Sequence, residues 1–238
     1  MENQFPTYNC PSCGGPLALH FRYTKLMTCP HCGSGLFLDD KVVQLRGIQS
    51  VMADYPSLLQ LYQNFTYRDW KFTPVGHVRF EYAHGYWDEW WVISSNSGEE
   101  GKWVSVDEGD IAIEVPVSIH SLSLPAQLLS APLDFSLDSA QPKQSTETIK
   151  IAQAESLQQL SVGDEISLNN RTLLVTERGT ANCIGLQGEL PELFNLGDHY
   201  DYLHLQGEKG YFMTLEIEKK TLYAYEGRWV DSFEVKAL

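Results

Sequence analysis

The chain contains no run of eighteen apolar residues, so no membrane-spanning helix is expected. Its N-terminus has no basic-then-apolar leader pattern, so no secretory signal is expected either. Positive charge is scarce. Seventeen Lys and Arg face 31 Asp and Glu, a net charge of −14. A chain this acidic leaves no general nucleic-acid footprint. Helical periodicity is also sparse: residues 50–63 offer the best candidate, and Pro56 limits it. No phosphate loop, nucleophile elbow or open metal triad is present. Cysteine is rare too, with five residues in 238.

Four of those five are grouped. Cys10-Pro11-Ser12-Cys13-Gly14 is echoed by Cys29-Pro30-His31-Cys32-Gly33, with fifteen residues between the pairs. This spacing reads as a zinc ribbon. Proline after the first Cys sets φ, and glycine after the second accepts a positive φ, so each knuckle can aim two sulfurs at one point. Cys10, Cys13, Cys29 and Cys32 are therefore the expected ligands of a structural Zn²⁺, tetrahedral and closed. Iron in a rubredoxin-like site is the competing ion, because four thiolates alone do not choose between the two. His20 and His31 are spare, since four cysteines fill the shell. Thiolates that must stay reduced point to the cytoplasm. Residues 1–45 form this module, with strands expected at 17–23 and 35–38. It is too small to hold a core unaided, so metal binding would supply most of its folding free energy. Its charges, Arg22, Lys25 and Lys41 against Glu2, Asp39 and Asp40, cancel. The ribbon thus has no basic stripe for DNA or RNA. Cys183 stands alone and reads as core packing.

The remainder reads as mostly β. Aromatics make up 12% of the chain, with six Trp and twelve Tyr, residue types that favour strands. A first β half spans 46–118. It opens with a hairpin at 65–72 turning near Arg68-Asp69, followed by strands at 75–82, 87–93, 101–106 and 111–115, with a turn at 96–98. Residues 119–157 change to Ser, Pro, Gln and Ala with scattered Leu and read as a connector, with a strand at 148–154. A second β half spans 158–238. It has a hairpin turn at Asn169-Asn170, and strands at 200–205, 211–217, 221–225 and 229–235. Ser97–Ser105 matches Gln206–Thr214 at a fixed offset, which suggests an internal duplication into two small sheet- or barrel-like halves. Chance likeness of two hairpin-rich segments is the alternative.

Several short motifs occur in a telling order: Trp87 with Glu89, Gly98 with Trp103, Gly188-Glu189-Leu190-Pro191, Gly197-Asp198, and Tyr225-Glu226-Gly227-Arg228-Trp229. In this order, behind a CPxCG ribbon, they make the chain resemble the bacterial DUF4178 proteins. One departure is Glu192, where the pattern leads one to expect an aromatic. The resemblance implies a non-catalytic cytoplasmic β protein in an accessory role, and a link to membrane or polyamine systems by association only.

Two clusters are candidate sites. On a strand, Trp87, Glu89 and Trp91 share one face, while Asp88 and Trp90 share the other. A carboxylate between indoles would suit an amine or a basic peptide. The plainer reading makes the indoles core and pairs Glu89 with a cation such as Arg79. Glu189, Asp198 and His199 could converge for acid–base work, or could simply mark a bulge and a turn. The expectation is a non-enzymatic zinc-binding adaptor for a protein partner, with peripheral membrane association open. The alternative is a small-molecule binder or enzyme acting on a cationic metabolite through Glu89.

Overall fold

A computed structural model describes residues 8–39, 42–49, 52, 56–94, 101–125, 147–148, 156–218 and 221–238. The ribbon region holds β1 (Tyr8–Asn9), β2 (Pro16–Leu17), β3 (Leu26–Thr28), β4 (Ser34–Asp39) and β5 (Val42–Gln49). Next come β6 (Phe65–Tyr67), β7 (Trp70–Tyr82), β8 (Gly85–Ser94), β9 (Gly101–Asp107) and β10 (Asp110–Pro116). Two-residue strands β11 (Leu122–Ser123) and β12 (Glu147–Thr148) follow. The rest is β13 (Glu165–Leu168), β14 (Arg171–Leu190), β15 (His199–Gln206), β16 (Tyr211–Glu218), β17 (Thr221–Val230) and β18 (Val235–Ala237).

Hydrogen-bonded order runs β18-β6-β7-β8-β9-β10-β17-β16-β15-β14-β3-β4-β5, and β14 pairs with β7 as well. That last pairing closes β7–β10 and β14–β17 into an eight-stranded antiparallel β-barrel. Closure removes the unpaired edges that an open sheet of this length would expose. The expected pair of separate halves is corrected to this one barrel, and nothing among the described residues supports an internal duplication. The apparent repeat lies on turn-and-strand chemistry that any hairpin shares. Among the described residues of the first half no strand matches the twenty residues of β14.

The hairpin turns were readable. Arg68 takes φ 53°, and Asn169 and Asn170 take φ 50° and 61°, the left-handed pair that a two-residue turn needs. The expected helix at 50–63 is absent over its described part, 52 and 56–63, which is loop and turn. Pro56 and Ser57 deny that segment a continuous apolar face. Of the strand expected at 17–23 only Leu17 is paired, because residues 20–24 are held by side chain rather than by a ladder. The strand expected at 229–235 ends at Val230, where a 3-10 turn, Ser232–Glu234, follows. The 96–98 turn lies outside the described residues, as does 149–154 of the strand expected at 148–154.

The chain divides into two compact units. The first comprises Met1–Ile113, Asn182–Asp198 and Val230–Leu238; the second comprises Glu114–Ala181 and His199–Trp229. The first unit's larger core gathers Phe65, Phe72, Trp90, Val92, Val104 and Ile111, and a smaller one surrounds the cysteines with Leu17, Leu19, Met27 and Leu36. The second unit's core includes Leu157, Leu160, Leu168, Val175, Leu205 and Leu215. Ile119, Leu122 and Leu124 join that core, so the start of the expected connector is structural. Asn169 fixes it there: its side-chain oxygen accepts from His120 N at 2.7 Å and its amide donates to Ser118 O at 2.8 Å.

Candidate metal centre and buried polar clusters

The two knuckles fold alike. Gly14 N–H donates to Cys10 O and Gly33 N–H to Cys29 O, at 2.8 and 2.9 Å. Gly14 and Gly33 sit at φ 75° and 71°, the conformation glycine tolerates best. Cys10 N–H then donates to Gly15 O, and Cys29 N–H to Ser34 O. These turns bring Cys10, Cys13, Cys29 and Cys32 together, with all four sulfurs within 4.8 Å of one another.

Their spacing fits a metal. A tetrahedron with arms of about 2.3 Å has sulfur–sulfur edges of about 3.8 Å. Cys10 and Cys32 are 3.8 Å apart at Sγ, as are Cys13 and Cys29. A disulfide would need about 2.05 Å, and all five cysteines are free thiols. The cluster could therefore hold a metal ion such as zinc. Hydrogen bonds from the hydroxyl and backbone N–H of Ser34 bring the Cys32 thiol down to about 6, while burial pushes Cys29 up to about 12.

The segment between the knuckles is anchored by Glu189. Its carboxylate is fully buried. It accepts from His20 N at 3.1 and 3.0 Å, Phe21 N at 3.0 Å, Thr24 Oγ1 at 3.0 Å and His20 Nδ1 at 2.7 Å. The hydrogen bond to Glu189 raises the His20 pKa above 6.5 against a smaller effect of burial. Backbone contacts extend the join. Lys25 N–H donates to Leu190 O, Gly188 N–H donates to Thr28 Oγ1, and β3 pairs with the end of β14. Glycines permit the adjoining approach of β14 to β7. A Cβ on Gly76 would lie 2.1 Å from Glu189 O, and one on Gly188, at φ 71°, would lie 2.1 Å from Val75 O.

Glu189 does not meet the two residues expected beside it. Asp198 accepts instead from Asn195 N and Asn195 Nδ2, at 2.9 and 2.7 Å, closing a turn. His199 opens β15 as an exposed residue. The Gly-Glu-Leu-Pro motif thus anchors the ribbon, and His20, read as spare, is half of the anchor.

Around Trp87, Glu89 and Trp91 the rings pack on rings. Trp91 meets Trp103 and Phe21 edge-on, at 5.1 and 5.5 Å between centroids, and Trp87 lies against Phe80 and Tyr82. Trp87 Nε1 donates to Glu89 Oε1 at 3.0 Å. Phe194 packs on Phe80 and Trp103. Arg79 pairs with Asp88, on the opposite face of β8 from Glu89.

That opposite face carries the most heavily buried charge cluster. Arg79 grips Asp88 with two hydrogen bonds, Nε to Oδ1 at 2.7 Å and Nη2 to Oδ2 at 2.9 Å. His77 Nε2 is 2.7 Å from Asp88 Oδ1. All three residues are buried. Register explains the meeting: on β7 and β8, Arg79 stands opposite Asp88 and His77 opposite Trp90. His77 stacks on Trp90 with centroids 3.8 Å apart and planes 8° from parallel. Burial lowers the His77 pKa despite Asp88. Burial pushes Asp88 upward, but its bonds to His77 and Arg79 outweigh this and hold it below 3.8. Sequence reading fixed on Glu89 and passed over Asp88. The signal available was alternation, which puts His77 and Arg79 on one face of β7. Cys183 is buried, and burial pushes its thiol up to about 12, the state of an inert packing residue.

The family model described as "Domain of unknown function (DUF4178)" matches residues 63–232. No curated protein and no solved structure matches the chain.

Proposed function

The chain belongs to the DUF4178 family, and from that premise we propose that it is a non-catalytic, zinc-binding accessory protein that docks a protein partner through its ribbon. One observation carries this reading. Residues 20–24 are fixed by Glu189 from below, yet Arg22 and Tyr23 of the same loop are exposed, Tyr23 at 56%. Tyr and Arg are the side chains that most often anchor interfaces, and a loop already ordered loses less entropy on binding. Arg22 also lies over the Tyr23 ring, 5.8 Å from its centroid. Zinc in this reading is structural, because four cysteines leave no open position for a reacting group. The cytoplasm suits such a reduced cluster.

A photo-crosslinking residue placed at Tyr23 tests the docking, with Lys209 of the second unit as the control position. Expected is a crosslinked second protein from Tyr23 and none from Lys209, lost when Arg22→Ala is added. Equal yields at both positions overturn the proposal. Elemental analysis of the purified protein tests the ion: one zinc per chain is expected, lost in Cys10→Ser, whereas iron in the wild type refutes the zinc assignment.

A further inference from the structure

The two knuckles fold alike but do not shield their sulfurs alike. Cys10 and Cys29 are each 2% exposed and Cys32 is partly covered, whereas Cys13 is exposed. Hydrogen bonding divides them in the same direction. Cys29 accepts from the backbone N–H of His31 and of Cys32. Cys32 accepts from the backbone N–H and the hydroxyl of Ser34, the latter at 3.2 Å. Cys13 accepts from the backbone N–H of Gly15.

Gly15 and Ser34 hold equivalent places, since each accepts at its backbone oxygen the N–H of its knuckle's first cysteine. Ser34 is buried, and its hydroxyl lies on the Cys32 sulfur. Gly15 has no side chain to do the same for Cys13. A Cβ there would lie 2.5 Å from Cδ2 of the His31 ring, so that ring would have to move to admit one. A donor on a thiolate draws on the lone pair that an electrophile must reach, and burial keeps the electrophile out. Both protections are thinnest at Cys13.

We propose that Cys13 is the reactive sulfur of the cluster, a modification site for soft carbon electrophiles, and that its alkylation releases the ion. This rests on the zinc reading above. Cys13 Sγ gives an electron pair to the electrophilic carbon. An S–C bond forms as the bond from carbon to the leaving group breaks, and the leaving group departs with its pair. No oxidant or reductant takes part. The product is a neutral thioether, so the ion loses one of its four thiolates and passes more readily to a competing chelator. Ser34 is a positioning residue here: its hydroxyl holds the Cys32 arm while the Cys13 arm reacts.

The test is limited alkylation of the zinc-loaded full chain with iodoacetamide, in the presence of a coloured zinc chelator. Peptide mass spectrometry places the label in chains that carry only one. Expected is about tenfold more label on Cys13 than on Cys10, Cys29 or Cys32, with zinc transferred in step with the labelling of Cys13. In Ser34→Ala the share of label on Cys32 should rise several-fold, and Ser34→Thr, which keeps the hydroxyl, should restore the wild-type pattern. If Ser34→Ala does not fold, the wild-type pattern alone decides. Zinc content is measured before labelling. A chain without zinc sinks the metal assignment, whereas equal label on the four cysteines, or zinc retained after Cys13 is labelled, overturns this proposal.

Discussion

Replacing Glu189 with Gln changes one oxygen for an amide and leaves the volume almost untouched. The fully buried carboxylate now receives Phe21 N–H and the Thr24 hydroxyl on Oε2, the His20 ring on Oε1, and His20 N–H between the two. Gln keeps one accepting oxygen, and its NH₂ must face donors on the other side. Hydrogen bonds to a charged group contribute about 1.5–3 kcal/mol each, and a stranded buried donor costs about 1–3 kcal/mol. The Gln oxygen can keep Phe21 N–H and the Thr24 hydroxyl, but its NH₂ then faces His20, whose ring can accept only as a neutral imidazole, and every bond to a full negative charge is lost. The net loss is therefore about 3 kcal/mol, a large part of the 5–15 kcal/mol typical of a domain. Since residues 20–24 link the two knuckles, the same loss loosens the metal. At 1.4 kcal/mol per factor of ten, the equilibrium transfer of the ion to a chelator should rise by up to about a hundredfold. Urea unfolding followed by tryptophan fluorescence reads the first effect, and competition with a coloured zinc chelator reads the second. A Glu189→Gln protein within about 0.5 kcal/mol of wild type, the spread of neutral surface changes, with unchanged zinc retention would refute the view that this carboxylate anchors the ribbon.

Three further outcomes follow from the same contacts. Asp88→Asn leaves Arg79 buried without its counter-charge and should cost about 3–5 kcal/mol in urea or thermal unfolding, whereas replacing the exposed Asp110 should cost little. The raised pKa of His20 makes its contribution fully present below pH 6.5 and lost as pH rises through the folded value; stability of wild type minus His20→Gln, measured across that range, should shrink with rising pH. Gly76→Ala should destabilise the β7–β14 join, because its Cβ would meet a backbone oxygen that cannot rotate away; loss of amide-exchange protection in β3 and β14 is the measurement.

Local rules carried the sequence reading a long way. Two Cys-Pro-x-Cys-Gly knuckles specify their own turns, because the proline and the positive-φ glycine act within five residues. The hairpins at Arg68-Asp69 and Asn169-Asn170 were legible for the same reason. The suggested duplication finds no support, because short turn-and-strand matches repeat in any hairpin-rich chain, while strand partners are chosen at a distance. The candidate site divided along the same line. The cysteine quartet was visible as spacing, but the role of Glu189 was not, since its partners lie about 165 residues away.

The sequence by itself determined the four-sulfur cluster, the β character and the positions of the tight turns. Each depends on φ preferences and side-chain chemistry within a few neighbours. Only the tertiary structure decided that β14 would pair with both β7 and β3, joining barrel closure and ribbon attachment in one strand. It alone chose Asp88 over Glu89 as the buried carboxylate. Alternation on β8 separates those two residues onto opposite faces without saying what covers either. The register of β7 against β8 supplies that answer, setting Arg79 opposite Asp88 and His77 within reach of the same oxygen.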